Sequence, residues 1–399
     1  LKNYRPFLFT IILVLVVFIA GAIWGIPYFL YYPTIEKSGP GFGSSVSKAE
    51  VTKILETGEI QMGDVVQNYQ IVEARILDGN YKDIPMSVEY GKFAFRPNSS
   101  LLEVGDKIFV TIDVRPDGVV TAYFTDHDRS KVLWYLTGLF VVSILWMAKF
   151  KGFRALTALG ISFWIILGYV IPHILGGEDP VRVSLIGSGL LLVSTLYITY
   201  GWNIKTHSAV MSILIVLVIT GVLSLVFVKA ARLSGFGDEN ALFLVQAASS
   251  TINLQGLLLG GMIIGALGVL DDLVTSQVAS SFELFKADPQ ATVHEIYRSV
   301  MRIGQDHVAA TVNTLVLAYT GASLPLLLLF ALGESDINYL INVEFMAEEI
   351  VRALVGSIGL MAAVPISSLI SAYAAKHASK MGSWYHFLGG DGGESHHHH

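Results

Sequence analysis

Long apolar runs recur along this chain, and the first, Phe7 to Leu30, exceeds the ~18 residues needed to cross a bilayer. Lys2 and Arg5 precede it, and Tyr28, Tyr31 and Tyr32 follow it. Basic residues before and aromatics after predict a first transmembrane helix that starts in the cytoplasm. The run is too long for a signal h-region and has no small-residue cleavage site. Ser38 to Ser45 reads as a flexible linker. From Ser47 to Asp126 the period changes to two. Val65–Leu77, Ile84–Tyr90 and Lys107–Val114 alternate like strands, and Gly79-Asn80, Arg96–Ser99 and Arg115–Gly118 read as turns. Short strands at this density predict a small barrel or sandwich, with an OB-like barrel as one option. Val104-Gly105-Asp106-Lys107, introducing a strand, suits such a barrel.

The helical period then returns. Apolar helices are predicted at about 131–148, 152–175, 181–200 and 207–229. A short stretch follows at Ala241–Ile252, then a long one at Leu254–Leu284. Lys286–Arg302 is polar and amphipathic, and the last two crossings are expected at 304–333 and 346–375. Lys149, Lys151, Arg154, Lys205, Lys286, Arg298, Arg302, Lys376 and Lys380 then share the side of the N-terminus. The opposite loops hold Arg129, Lys131, Arg182, Lys229 and Arg232. This positive-inside bias requires Ala241–Ile252 to be a half-helix or re-entrant segment. The fold class is thus a polytopic α-helical membrane protein with about eight crossings, both termini cytoplasmic, and the β-rich domain outside. Its parts are an N-terminal helix (1–35), a linker (36–46), the β-rich domain (47–128), the membrane domain (129–380) and a C-terminal tail (381–399).

Composition agrees with a membrane protein: 53% of the residues are hydrophobic and 15% charged, against ~25% charged in soluble domains. The net charge of −6 gives no sign of nucleic-acid binding. With no cysteine, disulfides, thiolate metal sites and thiol catalysis are excluded. The segment from Gly389 to the terminal histidines reads as a linker and purification tag, so those histidines enter no metal argument.

Candidate chemistry lies in the acids of the long Leu254–Leu284 run. Placing an aspartate at a helix centre in a membrane costs ~2.5–3.5 kcal/mol, so Asp271 and Asp272 point to a functional site. Asp272, Ser276, Ala279 and Glu283 share one helical face, with Asp271 and Thr275 beside it. Gly256, Gly260, Gly261 and Gly265 have the spacing that lets helix backbones approach. A second stripe holds Asp306, Asn313, Thr314 and Tyr319; Asp306 either joins the site or caps its helix. His307 reads as an interfacial or capping histidine. Glu348, Glu349 and Arg352 are spaced for a local ion pair, as a surface bridge or a gate. Gln246 and Asn253, in and beside the short segment, are placed to offer amide oxygens to the acids. An oxygen-rich set of this kind suits a proton or hard cation, so a bound cation is the one cofactor considered.

Several segments resemble the YibE/F-like family of bacterial membrane proteins. They are Gly256–Asp272, Ser280–Glu283 and the run from Gly304-Gln-Asp-His through Asn313-Thr-Leu-Val-Leu-Ala-Tyr319 to Pro325. Tyr69–Leu77, Gly105-Asp106 and Ile171–Gly177 also match. The Asp271–Asp272 pair departs from the single acid usual there. The resemblance implies the bacterial cytoplasmic membrane and supplies no substrate or reaction.

Three functions stay open. In a secondary transporter or permease, the acids would load a proton or cation beside an unidentified solute. No Walker A pattern is present for ATP drive within the chain. In an intramembrane hydrolase, Asp271 and Asp306 would share a proton as a dyad; a serine route through Ser276 or Ser280 has His294 and His307 poorly placed by depth. In a sensor, the outer domain would bind a protein, peptide or glycan. A transporter, not an enzyme, is the expected class, with the lipid bilayer as its surroundings.

Overall fold

A computed structural model describes residues 46–63, 65–92, 101–114, 120–237, 239–247, 252–332, 336–378 and 387–390. The expected first helix at Phe7–Leu30, the linker and the turns at Arg96–Ser99 and Arg115–Gly118 lie outside the described residues. Two compact units divide the chain, one within Lys37–Met147 and one from Ala148 onward.

The first unit contains a five-strand barrel: β1 (Val46–Met62), β2 (Val65–Ile76), β3 (Pro85–Tyr90), β4 (Lys107–Val114) and β5 (Val120–His127). Its closed order is β1-β2-β3-β5-β4. The strand-like alternation at β2, β3 and β4 is the cause of closure: Val72, Ala74, Ile76, Val88, Tyr90, Ile108 and Val110 all point into one core. β1 is long enough to pair with β2 along its length and with β4 at Val46–Glu50. Two register shifts, at Val51/Lys53 and Ile54/Glu56, let it bend around the barrel. Gln70 is buried, and its amide is matched by the backbone N–H and C=O of Leu102. β3 and β5 are parallel and, among the described residues, share two residue pairs, Val88↔Ala122 and Glu89↔Tyr123.

The helices are α1 (Ser130–Ile165), a π turn (Ile166–Val170), α2 (Ile171–Leu175), α3 (Pro180–Tyr200), α4 (Ile204–Ala230), α5 (Glu239–Ala247), α6 (Leu254–Ala287), α7 (Val293–Ala322), α8 (Leu324–Leu332), α9 (Ile337–Leu340) and α10 (Glu344–His377). Five stretches among the described residues are long and apolar enough to cross a membrane: 130–175, α3, α4, α6 and α10. The first runs 46 residues, about 69 Å if straight, twice the ~30 Å of hydrocarbon. It is broken at Lys149, whose backbone is non-helical (φ 49°, ψ −126°). The π turn sits just before Pro172, which has no N–H for the helix ladder; widening the preceding turn accommodates that gap.

The expected amphipathic Lys286–Arg302 segment and the seventh crossing are not separate elements. α7 runs unbroken from a capping box at Thr292 and Glu295 to Ser323. Its helix then stops ahead of Pro325, and α8 begins. α3, α4, α6, α7 and α10 share one apolar core, with Leu192, Ile213, Leu270, Val274, Leu315 and Ala363 among its members. Residues 387–390 lie against the α3–α4 turn: Ile204 N–H donates to Gly390 O, and Trp202 Nε1 donates to Phe387 O.

Candidate functional site

α6 carries the acids, and its two sides differ. One side is buried through Leu270, Leu273, Val274, Gln277, Val278, Ser281 and Phe282. The other, with Gly261, Gly265, Gly268, Asp272 and Ala279, is exposed. Asp271 sits between them. Its Oδ1 is buried and has no hydrogen-bond partner among the described residues.

The α6–α7 register follows from two contacts. Ser276 Oγ lies 3.4 Å from His307 Nδ1, and the Gly304 backbone packs against the Gln277 side chain. The helices are antiparallel, and the two contacts put Asp272 level with residues 309–311 and Asp271 level with residues 310–312. This corrects the expectation that His307 lies at the wrong depth for Ser276. α7 runs on without a break, so its fifteenth residue meets α6 about two-thirds of the way along, at Ser276. The same register displaces Asp306 from Asp271 by about four to six residues, ~6–9 Å along the axis. Asp306 is also exposed. The two aspartates do not meet as a dyad.

The remaining expected residues are dispersed. Asn313 and Thr314 are exposed on α7, and the Thr314 hydroxyl donates to Ala310 O of its own helix. Glu283 is well exposed and pairs with Lys205 (3.3 Å) and Lys286 (3.5 Å). It belongs to the charged end of α6, away from the acid pair. Asn253 caps α6, with its oxygen accepting the Gly256 N–H at 3.0 Å. That oxygen is thus committed to the helix start. Gln246 lies on α5, with its side chain outside the described residues.

Tyr319 lines a cavity of about 10 Å³ between α4, α6, α7 and α10, together with Thr220, Ser224, Gly265, Arg352 and Gly356. A space of this size holds about one water. Val269, one turn from the acids, also borders it. Arg352 pairs with Glu349, as the spacing predicted. Glu348 is instead buried and accepts the Gly237 N–H, while Glu344 accepts from Ser234 and Gly235. These two acids tie the 234–237 loop to the start of α10.

A fully buried polar set was missed at the sequence level: Gln277, Ser281, Ser367, Ser368 and Ser371, all 0% exposed. Ser281 Oγ and Ser371 Oγ are 2.5 Å apart, and Ser368 donates to Gln277 Oε1 at 3.4 Å. Gln277 Nε2 has no acceptor among the described residues. The available signal was the serine spacing at 367, 368 and 371, which puts small hydroxyls on one face of an apolar helix.

Among the described residues, no group of three or more His, Asp or Glu is arranged to hold a metal ion. The sequence profile of the YibE/F-like protein family matches residues 136–377. The chain belongs to the YibE/F-like family. The match covers most of α1 and all of α2 to α10, and so contains Asp271, Asp272, Ser276 and His307. The YibE/F-like match does not extend to the barrel, although the resemblance was expected to reach Tyr69 and Gly105. No curated protein and no solved structure matches the chain.

Proposed function

We propose that this YibE/F-like membrane protein is a secondary transporter or permease of the bacterial cytoplasmic membrane, working through the Asp271–Asp272 site. The observation that carries this reading is the unpartnered buried oxygen of Asp271 beside a second carboxylate, halfway along an apolar helix. Two adjacent carboxylates repel each other in apolar surroundings, and binding a proton or cation relieves that repulsion. A dry structural acid would be tied off by donors, and Asp271 Oδ1 has none among the described residues. The small cavity bordered by Val269 and Tyr319, with Thr220, Ser224 and Arg352 in its wall, lies on the Leu254 side of the acids.

The reading includes about eight crossings, with α5 as a half-helix, cytoplasmic termini and the barrel outside. The barrel's strand order and its parallel β3–β5 closure support an OB-like assignment. The test is solute and ion flux in proteoliposomes. Asp271→Asn and Asp272→Asn are expected to lower transport at least ~10-fold, a rise of about 1.4 kcal/mol or more in the barrier. Transport at the unmodified rate in both variants would remove the site.

One observation favours a second reading, a sensor acting through the barrel. A groove of about 460 Å³ lies at the β3–β5 seam, lined by Tyr81, Met86, Glu89, Thr121 and Tyr123. That volume is within the range of small-molecule sites. Saturable ligand binding to the full chain that depends on Tyr123, without any flux, would favour this reading over transport.

A further inference from the structure

We propose that the ion handled at the acid pair is the proton, and that His307 delivers it to Asp272 through Ser276. This inference rests on the transport reading above.

The hydrogen bonds fix the direction of donation. Ser276 Oγ donates to Leu273 O at 2.8 Å, so its single proton is committed. At 3.4 Å from His307 Nδ1, the serine oxygen therefore accepts and Nδ1–H donates. The neutral ring then has its lone pair on Nε2, which takes the incoming proton. Asp272 lies one turn from Ser276 on the same face of α6. A proton entering at Nε2 releases the Nδ1 proton to Ser276 Oγ. The serine's own proton turns from Leu273 O to the Asp272 carboxylate. One proton enters and one arrives, with no other bond changed; a tautomer shift resets the ring.

The surrounding charges single out this pair. α10 has no charged residue between Arg352 and Lys376, and α4 has none between Lys205 and Lys229. α6 has only Asp271 and Asp272 before Glu283. On α7, Asp306 adjoins His307 and Arg302 lies a turn before it. The central ionisable groups of these four helices are thus three carboxylates and one imidazole. An imidazole in the chain of contacts suits proton transfer, whereas an alkali cation prefers oxygen alone. His307 is exposed, so replacing it removes little packing.

The test uses full-length protein in proteoliposomes on a solid-supported membrane, with proton jumps and sodium jumps as probes. A proton jump is expected to displace charge in the wild type, and a sodium jump at fixed pH to displace none. His307→Gln and Ser276→Ala should slow the displacement at least ~10-fold, while Ser276→Thr, which keeps a hydroxyl, should restore it. Asp271→Asn with Asp272→Asn should abolish it. Wild-type speed in His307→Gln, or a response to sodium in place of protons, overturns the inference and leaves the acid site standing. A proton displacement that survives loss of both aspartates overturns the transport reading itself.

Discussion

Gly260 and Gly261 are adjacent in sequence and have opposite surroundings. A Cβ on Gly260 would land well inside 3.0 Å of Ser184 on α3, whereas one on Gly261 would meet nothing within 4 Å among the described residues. Gly260→Ala is therefore expected to cost about 1–3 kcal/mol through overpacking. Gly261→Ala should be neutral or gain up to ~1 kcal/mol from helix propensity. Thermal unfolding of the two variants in one detergent checks the contrast. Asp128, before α1, gives a pH prediction. The Ser130 hydroxyl and N–H, with Lys48, hold its carboxyl down to about 2. Its contribution is fully present above the ordinary unfolded value of ~3.9 and is lost as pH falls towards 2. Asp128→Asn should flatten the acid limb of the stability profile between those values, as read by circular dichroism of the full chain. The acid pair was legible because an aspartate amid leucines and glycines breaks the apolar pattern. The role of Asn253 was not, since a capping amide and a binding amide have the same letter and differ only in which N–H they meet. Glu283 was misread for a related reason: its face was correct, but Lys205 arrives from 78 positions away.

At the scale of elements, α7 differs most from expectation. Its charged first half and polar second half look like two segments, yet neither contains a proline, and Gly304 between them is accommodated within the helix. The reciprocal bonds of Thr292 and Glu295 set its start: Glu295 N–H donates to Thr292 Oγ1, and the Glu295 carboxylate accepts from Thr292 N–H and Oγ1. Thr292→Ala is expected to cost about 1 kcal/mol and to speed hydrogen exchange at residues 293–296 without touching the Ser276–His307 level. The long helices were readable from hydrophobic length alone, and three strands from alternation. β1 was not, because its two register shifts put the alternation out of step. The kink at Lys149 fell where a basic loop was expected. It is one non-helical residue and not a loop, a distinction that hydropathy does not carry.

At the scale of the molecule, sidedness is the property that charge bias predicts. The chain has no cysteine, so single introduced cysteines report without background. Lys53→Cys on β1 should react with an impermeant maleimide in intact cells, and Gln290→Cys, ahead of α7, only after permeabilisation. The reverse pattern would invert the proposed orientation. The barrel, for its part, is closed along β3 and β5 by two residue pairs, against the much longer ladder joining β1 to β2. Under a pull or on warming, that clasp is expected to part first. The other four ladders keep their bonds, and the cylinder opens into a curved sheet that can close again without re-forming any strand.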